Sequence, residues 1–388
     1  DFSENNMQNT MIKYSKYGGV LMDESGNPYI AEPYYSSWLG VSPSEYDTYD
    51  ELGKISPLIA TPEDVHIKDV VLIPTRNNSM DNDKFKWALL KYGALAISYN
   101  HVQEILEYYN QTTYGYYNFA TPGSNHIVCL VGWDDNYPKK NFVEIPPGDG
   151  AFIIKNSWGT DFGEEGYFYI SYYDVSIGCY LPSMTFSIQN NNDYDKLYQH
   201  EIDYNHSSNH TYPMNKFVAE ENLMIAAVGA FVYQTDSYDF SILVNGEKVY
   251  ETDGTFDYEG YATIELDEYI PVMKGDEFAV ISKNNLQHLG IISTHAEPHV
   301  AFVSYDGVEW EDLAKDNSAA MIKVYTINLD IYTQDLVKFY KNDSKFEANI
   351  GIANETVTFE INGGSYNRLS DENGTARMAI NLNPGNYT

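Results

Sequence analysis

His126 and Asn156 stand thirty residues apart (156 minus 126) and together can activate a nucleophile. A histidine titrates near neutrality and works as a base when one ring nitrogen is held and the other is left free. An asparagine carbonyl accepting from one ring nitrogen fixes the tautomer in that way. Both residues lie in the stretch Ser124 to Ser171, SNHIVCLVGWDDNYPKKNFVEIPPGDGAFIIKNSWGTDFGEEGYFYIS. Trp158, two residues past Asn156, is placed to roof their hydrogen bond and keep water off it. The pattern describes half of a nucleophile-activating device.

The elements that must position these groups read as strands. His126 heads the apolar run Ile127 to Trp133, Ala151 to Ile154 leads into Lys155-Asn156-Ser157-Trp158-Gly159, and Tyr167 to Ser171 follows a Gly-rich turn. Side chains alternate along a strand, so a histidine at the head of one strand can meet an asparagine at the end of its neighbour. The Pro/Gly-punctuated segment between Trp133 and Gly150 is a loop that lengthens the His-to-Asn spacing. Upstream, HIKDVVLIP alternates like a strand, and Asp81-Asn82 offer a helix N-cap. Phe85, Ala88, Leu89 and Tyr92 then form a helical stripe that Gly93 ends. Ala94 to Tyr99 is the next strand, and His101 reads as a surface residue at a helix start.

Asn125-His126, followed by GW and then by KNSWG-x-x-F-G-E-x-G-Y, resembles the second half of the papain-like cysteine peptidases over roughly Asp1 to Tyr180. The resemblance implies His126 as general base and acid, Asn156 as the residue that orients it, and a cysteine on an N-terminal helix as nucleophile. It also implies cleft support from Trp158 and Asn125, from the glycine pair Gly18-Gly19, and from Ser98 on the strand flanking the second-subsite pocket. No metal and no other cofactor is implied. Neither cysteine of the chain fits the nucleophile. Cys129 lies three residues after His126 and so on the opposite strand face. Cys179 sits in SIGCYLP, without the C-G-S/A-C-W/Y surroundings of such a residue. The nucleophile and the oxyanion-hole glutamine are therefore expected ahead of Asp1, whose segment Asp1-Phe2-Ser3-Glu4-Asn5 resembles the one that follows the nucleophile helix. The chain is expected to be truncated at both ends and inactive alone. The asparagine in KNSWG argues against transglutaminase-like chemistry, which uses an acidic third member.

The chain is too long, at 388 residues, for one ordinary domain. A formal charge of −33 and 36 tyrosines argue against nucleic-acid or anionic-membrane partners. No apolar run approaches the ~18 residues of a membrane span, and two cysteines make no disulfide framework. Asn-x-Ser/Thr sequons, at Asn77, Asn110, Asn205, Asn209, Asn342, Asn354, Asn373 and Asn386, suit an extracellular or cell-surface protein.

Three units are expected. Residues 1–188 form an α+β papain-like domain, mostly its β-sheet half. After the Gln189 to Asp193 linker, residues 193–332 form an all-β lectin-like sandwich, with an Asn245-Gly246 hairpin turn and short strands at regular spacing. That block resembles the lectin-like domain following the peptidase domain in some bacterial surface cysteine peptidases. Trp310 reads as a core or rim residue. Residues 335–388 resemble part of an Ig-like repeat from adhesin-like surface proteins. The function so implied is a cysteine-type endopeptidase acting on peptide or protein substrates, with cell-wall or surface glycans as the ligand class for the sandwich. The alternative is a non-catalytic pseudo-peptidase that serves as a surface adhesin or carbohydrate-binding protein.

Overall fold

The computed structural model describes residues 2–11, 31, 34–47, 65–102, 105–189, 193–200, 203–207, 211–232, 237–283, 288–291, 296–329, 332–333, 336–339 and 342–380. Among these, twelve strands share one sheet. From one edge the order is Tyr109–Asn110, Gly115–Tyr116, Tyr167–Ser171, Ala151–Lys155, His126–Asp134, Leu95–Tyr99, Ser183–Gln189 and His66–Ile73. It continues through Glu259–Val272, Leu223–Val232, Ile322–Asn328 and Lys196–Tyr198. All pairings are antiparallel except that of Gly115–Tyr116 with Tyr167–Ser171.

Periodicity explains the first core. Val128, Leu130, Phe152, Ile154, Phe168 and Ile170 alternate inward from three adjacent strands and are buried with Leu95, Ile97 and Tyr99. The helix Asp83–Tyr92 lays Phe85 and Ala88, both fully buried, on that face. It ends where expected, at Gly93, which adopts φ 98° and returns its N–H to the Leu89 carbonyl. Its start differs from the expectation. Asn82 makes no capping bond with its side chain, and the Asp81 carboxylate instead takes Lys84 at 2.8 Å and the Asn77 N–H at 3.0 Å.

The second half of the long sheet faces a six-stranded sheet in which Ser237–Val244 pairs with Glu247–Thr255. Leu223, Ile225 and Val324 from one layer pack against Phe240, Ile242, Phe278 and Val280 from the other. The turn between the hairpin strands is Asn245 at φ 51° and Gly246 at φ 82°, as the Asn-Gly pair requires. Beyond residue 332, a three-stranded sheet and the hairpin Thr356–Ile361/Gly364–Leu369 enclose Ala348, Val357, Phe359 and Met378.

The expected separate sandwich is in fact hydrogen-bonded to the first unit. His66–Ile73 pairs with Glu259–Val272, setting Val70 opposite Tyr261 and Val71 opposite Gly260. The Asp69 carboxylate joins both sides, accepting from Thr263 N at 2.9 Å and Ser187 Oγ at 2.6 Å. Val70, Leu72 and Met184 share a core with Phe231, Tyr261 and Met321 and with Met11 of the helix Glu4–Met11. Trp87 stacks on Tyr258 at 5.2 Å. No helix among the described residues is long and apolar enough to cross a membrane.

Gly260 tests this junction. It holds φ +131°, and a Cβ there would lie 1.9 Å from the Val70 carbonyl oxygen. Gly260→Ala should cost about 2–4 kcal/mol of stability, read by urea unfolding. A loss below about 1 kcal/mol contradicts this register.

Candidate active site

The His126–Asp134 strand runs antiparallel to Ala151–Lys155, with Cys129 opposite Lys155. Asn156 is thus the first residue past the end of one strand, while His126 opens the other. Their side chains meet: His126 Nε2 lies 3.0 Å from Asn156 Oδ1. The Ser157 main-chain N–H donates to the same oxygen at 2.9 Å. A backbone N–H can only donate, so the atom it faces is the carboxamide oxygen, and the ring nitrogen on that oxygen must carry a proton. The Nδ1 of the neutral ring is left as the basic nitrogen. Asn156 is buried, and the turn that holds it is tied by Asn156 N to Gly166 O at 2.9 Å and Gly166 N to Phe162 O at 2.7 Å.

Trp158 stacks over the imidazole, with centroids 5.2 Å apart and planes 19° from parallel. The indole, 43% exposed, rests edge-to-face on Phe162 at 4.9 Å, which is backed by Phe168 and Tyr109. The glycines downstream make this turn possible. Gly163 holds φ +60°, and a Cβ there would lie 2.1 Å from the Tyr167 carbonyl oxygen.

Sequence reasoning missed one neighbour. His101 is not a free surface residue: its ring lies 6.4 Å from that of His126 and 4.9 Å from that of Trp158. Nothing in the periodicity marks it. The available signal was Asn125, a cleft candidate whose amide grips His101 by its main chain, accepting from His101 N at 2.7 Å and donating to His101 O at 2.9 Å. Burial, and then the neighbouring His126, hold the His101 pKa below the ordinary histidine value.

Of the other described candidates, Ser98, Cys129 and Cys179 are not brought to His126. Ser98 pairs with Ile127, one step from the Tyr99–His126 pair, so its side chain lies on the other sheet face. It is buried, with no hydrogen bond from its Oγ among the described residues. Gly18 and Gly19 lie outside the described residues. Cys129 follows the exposed face of Ile127 and Val131, and the Cys179 Sγ turns to the Ile177 carbonyl at 3.4 Å. Both thiols are free, and burial pushes both pKa values up. Among the described residues, no three His, Cys, Asp or Glu side chains gather to hold a metal ion.

Residues 5–187 match the family described as papain family cysteine protease, and residues 193–326 match the lectin like domain. Cathepsin J of Mus musculus is 27% identical over 164 residues, 42% of this chain and 45% of its own length. Falcipain-3 of Plasmodium falciparum (isolate 3D7) is 33% identical over 131 residues, 32% of this chain and 24% of its own. The chain spans less than half the length of these curated relatives. A solved structure of a clostridial cysteine protease, Cwp84, after propeptide cleavage aligns with a TM-score of 0.69 at 22% identity, covering 84% of this chain and 88% of that one. The cysteine protease and lectin-like domains of Cwp84, a surface layer associated protein of Clostridium difficile, align with a TM-score of 0.69 at 21% identity, over 84% and 79%. The chain carries a papain-family domain followed by a lectin-like, β-rich domain.

The raised thiol pKa values set an expectation. A thiolate forms only as pH climbs through the folded pKa, so both cysteines should alkylate slowly at neutral pH and faster above it. At pH 7.5, iodoacetamide should modify Cys129 and Cys179 more slowly than a free cysteine, measured by mass spectrometry. Labelling of either at or above the free-cysteine rate contradicts the placement.

Proposed function

We propose that His126 and Asn156 are the base half of a cysteine-type endopeptidase that cleaves peptide or protein substrates at the cell surface or outside the cell. The observation carrying this reading is the 3.0 Å bond from His126 Nε2 to Asn156 Oδ1 beneath Trp158, which leaves Nδ1 as the base. In the reaction, Nδ1 takes the proton of a thiol and the thiolate attacks the peptide carbonyl. The imidazolium then returns that proton to the leaving amine. Water, deprotonated by the same nitrogen, hydrolyses the thioester. Asn156 keeps the ring in one orientation through both half-reactions.

Cys129 lies on the strand face opposite His126 and the Cys179 Sγ turns to the Ile177 carbonyl, so the reading assigns the thiol to a third cysteine on a segment ahead of Asp1, and residues 1–388 alone hydrolyse no peptide. Gly18, Gly19, Asn125 and Ser98 remain proposed cleft residues. The proposed units are residues 1–188, 193–332 and 335–388, the last an Ig-like surface repeat. The surface-layer association of Cwp84 supports a surface location, and glycans are the proposed ligands of the sandwich. The placement of both cysteines also favours a second reading, a pseudo-peptidase scaffold used for adhesion.

A fusion that places a cysteine-bearing papain-family segment ahead of Asp1 separates the two readings. The peptidase reading expects hydrolysis of a peptidyl-coumarin substrate and labelling by an epoxide inhibitor. His126→Ala should lower kcat/KM about 10²- to 10⁴-fold, and Asn156→Ala should lower it less, with Tm unchanged in both. Full activity of His126→Ala contradicts the assignment. A folded fusion that neither cleaves nor labels supports the scaffold reading.

A further inference from the structure

We propose that His101 is a positioning residue of this site: an imidazole packed perpendicular to Trp158 that holds the indole flat over His126. The inference rests on the reading of His126 as the base. Asn125 fixes both main-chain polar groups of residue 101, at 2.7 and 2.9 Å. Tyr99 Oη meets the Nδ1 of its ring at 3.2 Å, which sets the ring's rotation. Tyr116 lies nearly parallel to it at 6.3 Å, and the Tyr116 hydroxyl donates to Asn100 O at 2.7 Å while accepting from Val102 N at 3.2 Å. The residues on either side of His101 are therefore pinned as well. The two ring planes stand at 83°, with centroids 4.9 Å apart. A solvated histidine at a helix start needs none of these contacts.

Neutrality is part of the device. In the proposed reaction His126 becomes an imidazolium, and a second positive charge with its ring centre 6.4 Å away would oppose that step. Among the described residues, the groups facing His101 are Tyr99 at the end of the preceding strand, Tyr116 from Gly115–Tyr116, His126 from the neighbouring strand, and the uncharged Asn125 and Trp158. Burial raises the pKa of both tyrosines and keeps them neutral, and the buried carboxylate of Asp174 acts on them in the same direction. Burial, and then the neighbouring His126, favour the uncharged form of the His101 ring. The arrangement gives Trp158 an aromatic buttress that adds no charge while the neighbouring histidine cycles through its protonated form.

The test uses the chain as it is, with ¹⁵N-labelled histidine and 5-fluorotryptophan, His126 and Trp158 being assigned from His126→Gln and Trp158→Phe. His101→Lys places a fixed charge beside the base and should lower the His126 titration midpoint by about 0.5 to 2 pH units, the span between water-like and protein-like screening. His101→Phe keeps the ring without the charge and should leave the midpoint within about 0.3 units and the Trp158 fluorine signal in place. His101→Ala should move that signal to the position of a solvated indole. An unmoved midpoint in His101→Lys, or an unmoved Trp158 signal in His101→Ala, overturns the proposal. A merely structural role would shift the midpoint alike in His101→Lys and His101→Ala. These readouts need no peptidase activity, so their failure is distinct from failure of the base assignment, which the fusion tests.

Discussion

One oxygen, Asn156 Oδ1, accepts from His126 Nε2 at 3.0 Å and from Ser157 N at 2.9 Å, and the chemistry of the site depends on that double role. The Ser157 bond orients the carboxamide, and the oriented carboxamide selects the ring nitrogen that carries the proton. Neither bond forms without the strand register that ends Ala151–Lys155 beside the head of the histidine strand. A one-residue slip would send His126 to the opposite face. The register shifts between Leu130 and Gly132, where the histidine strand carries its irregularity. Glycine suits such a position, since it adds no side chain to the disturbed ladder.

Behind the site, a buried polar brace holds the strand end that carries Tyr99 and His101. The Asp174 carboxylate accepts from Asn118 N, Ser176 N, Ser176 Oγ and Ile177 N, and the Ser176 Oγ in turn accepts from Asn100 N at 3.0 Å. Gly178 N donates to Ser98 O, and Arg76 N donates to Gly178 O. The Arg76 guanidinium, also buried, is occupied by the carbonyls of Tyr172 and Ile177. A buried carboxylate with four donors is sustainable, whereas one stripped of them costs several kcal/mol. The active-site strand therefore rests on a network that cannot be trimmed one member at a time. On the far side, the sandwich extends the same sheet. Its fully buried Lys323 gives Nζ to Gln199 Oε1 at 2.7 Å and to Ser37 Oγ at 3.3 Å, tying the segment around Ser37 to the second unit.

Much of this was legible in the chain because it depends on local rules. Strand alternation placed His126, Val128 and Leu130 on one face and Cys129 on the other, and the structure agrees. The Asn-Gly hairpin and the Gly93 helix stop follow from backbone freedom alone. What escaped depends on contacts distant in sequence. His101 looks like a loop residue until the neighbouring strand brings Asn125 and Trp158 against it. The edge pairing of His66–Ile73 with Glu259–Val272 joins segments that composition treats as separate domains, because an alternating strand does not say which neighbour it takes. The expected cap at Asn82 failed for a similar reason: Asp81, Asn77 and Lys84 satisfy one another and leave the cap to the backbone.

The central claim is that Asn156 holds the His126 ring by its Nε2 proton. Long-range ¹H–¹⁵N correlation spectra of the histidine-labelled chain, recorded above the His126 midpoint, measure this directly. The account predicts the Nε2–H tautomer, with that proton exchanging slowly with water in the native chain and rapidly in Asn156→Ala. A proton resident on Nδ1, or an Nε2 proton that exchanges equally fast with and without Asn156, would contradict it.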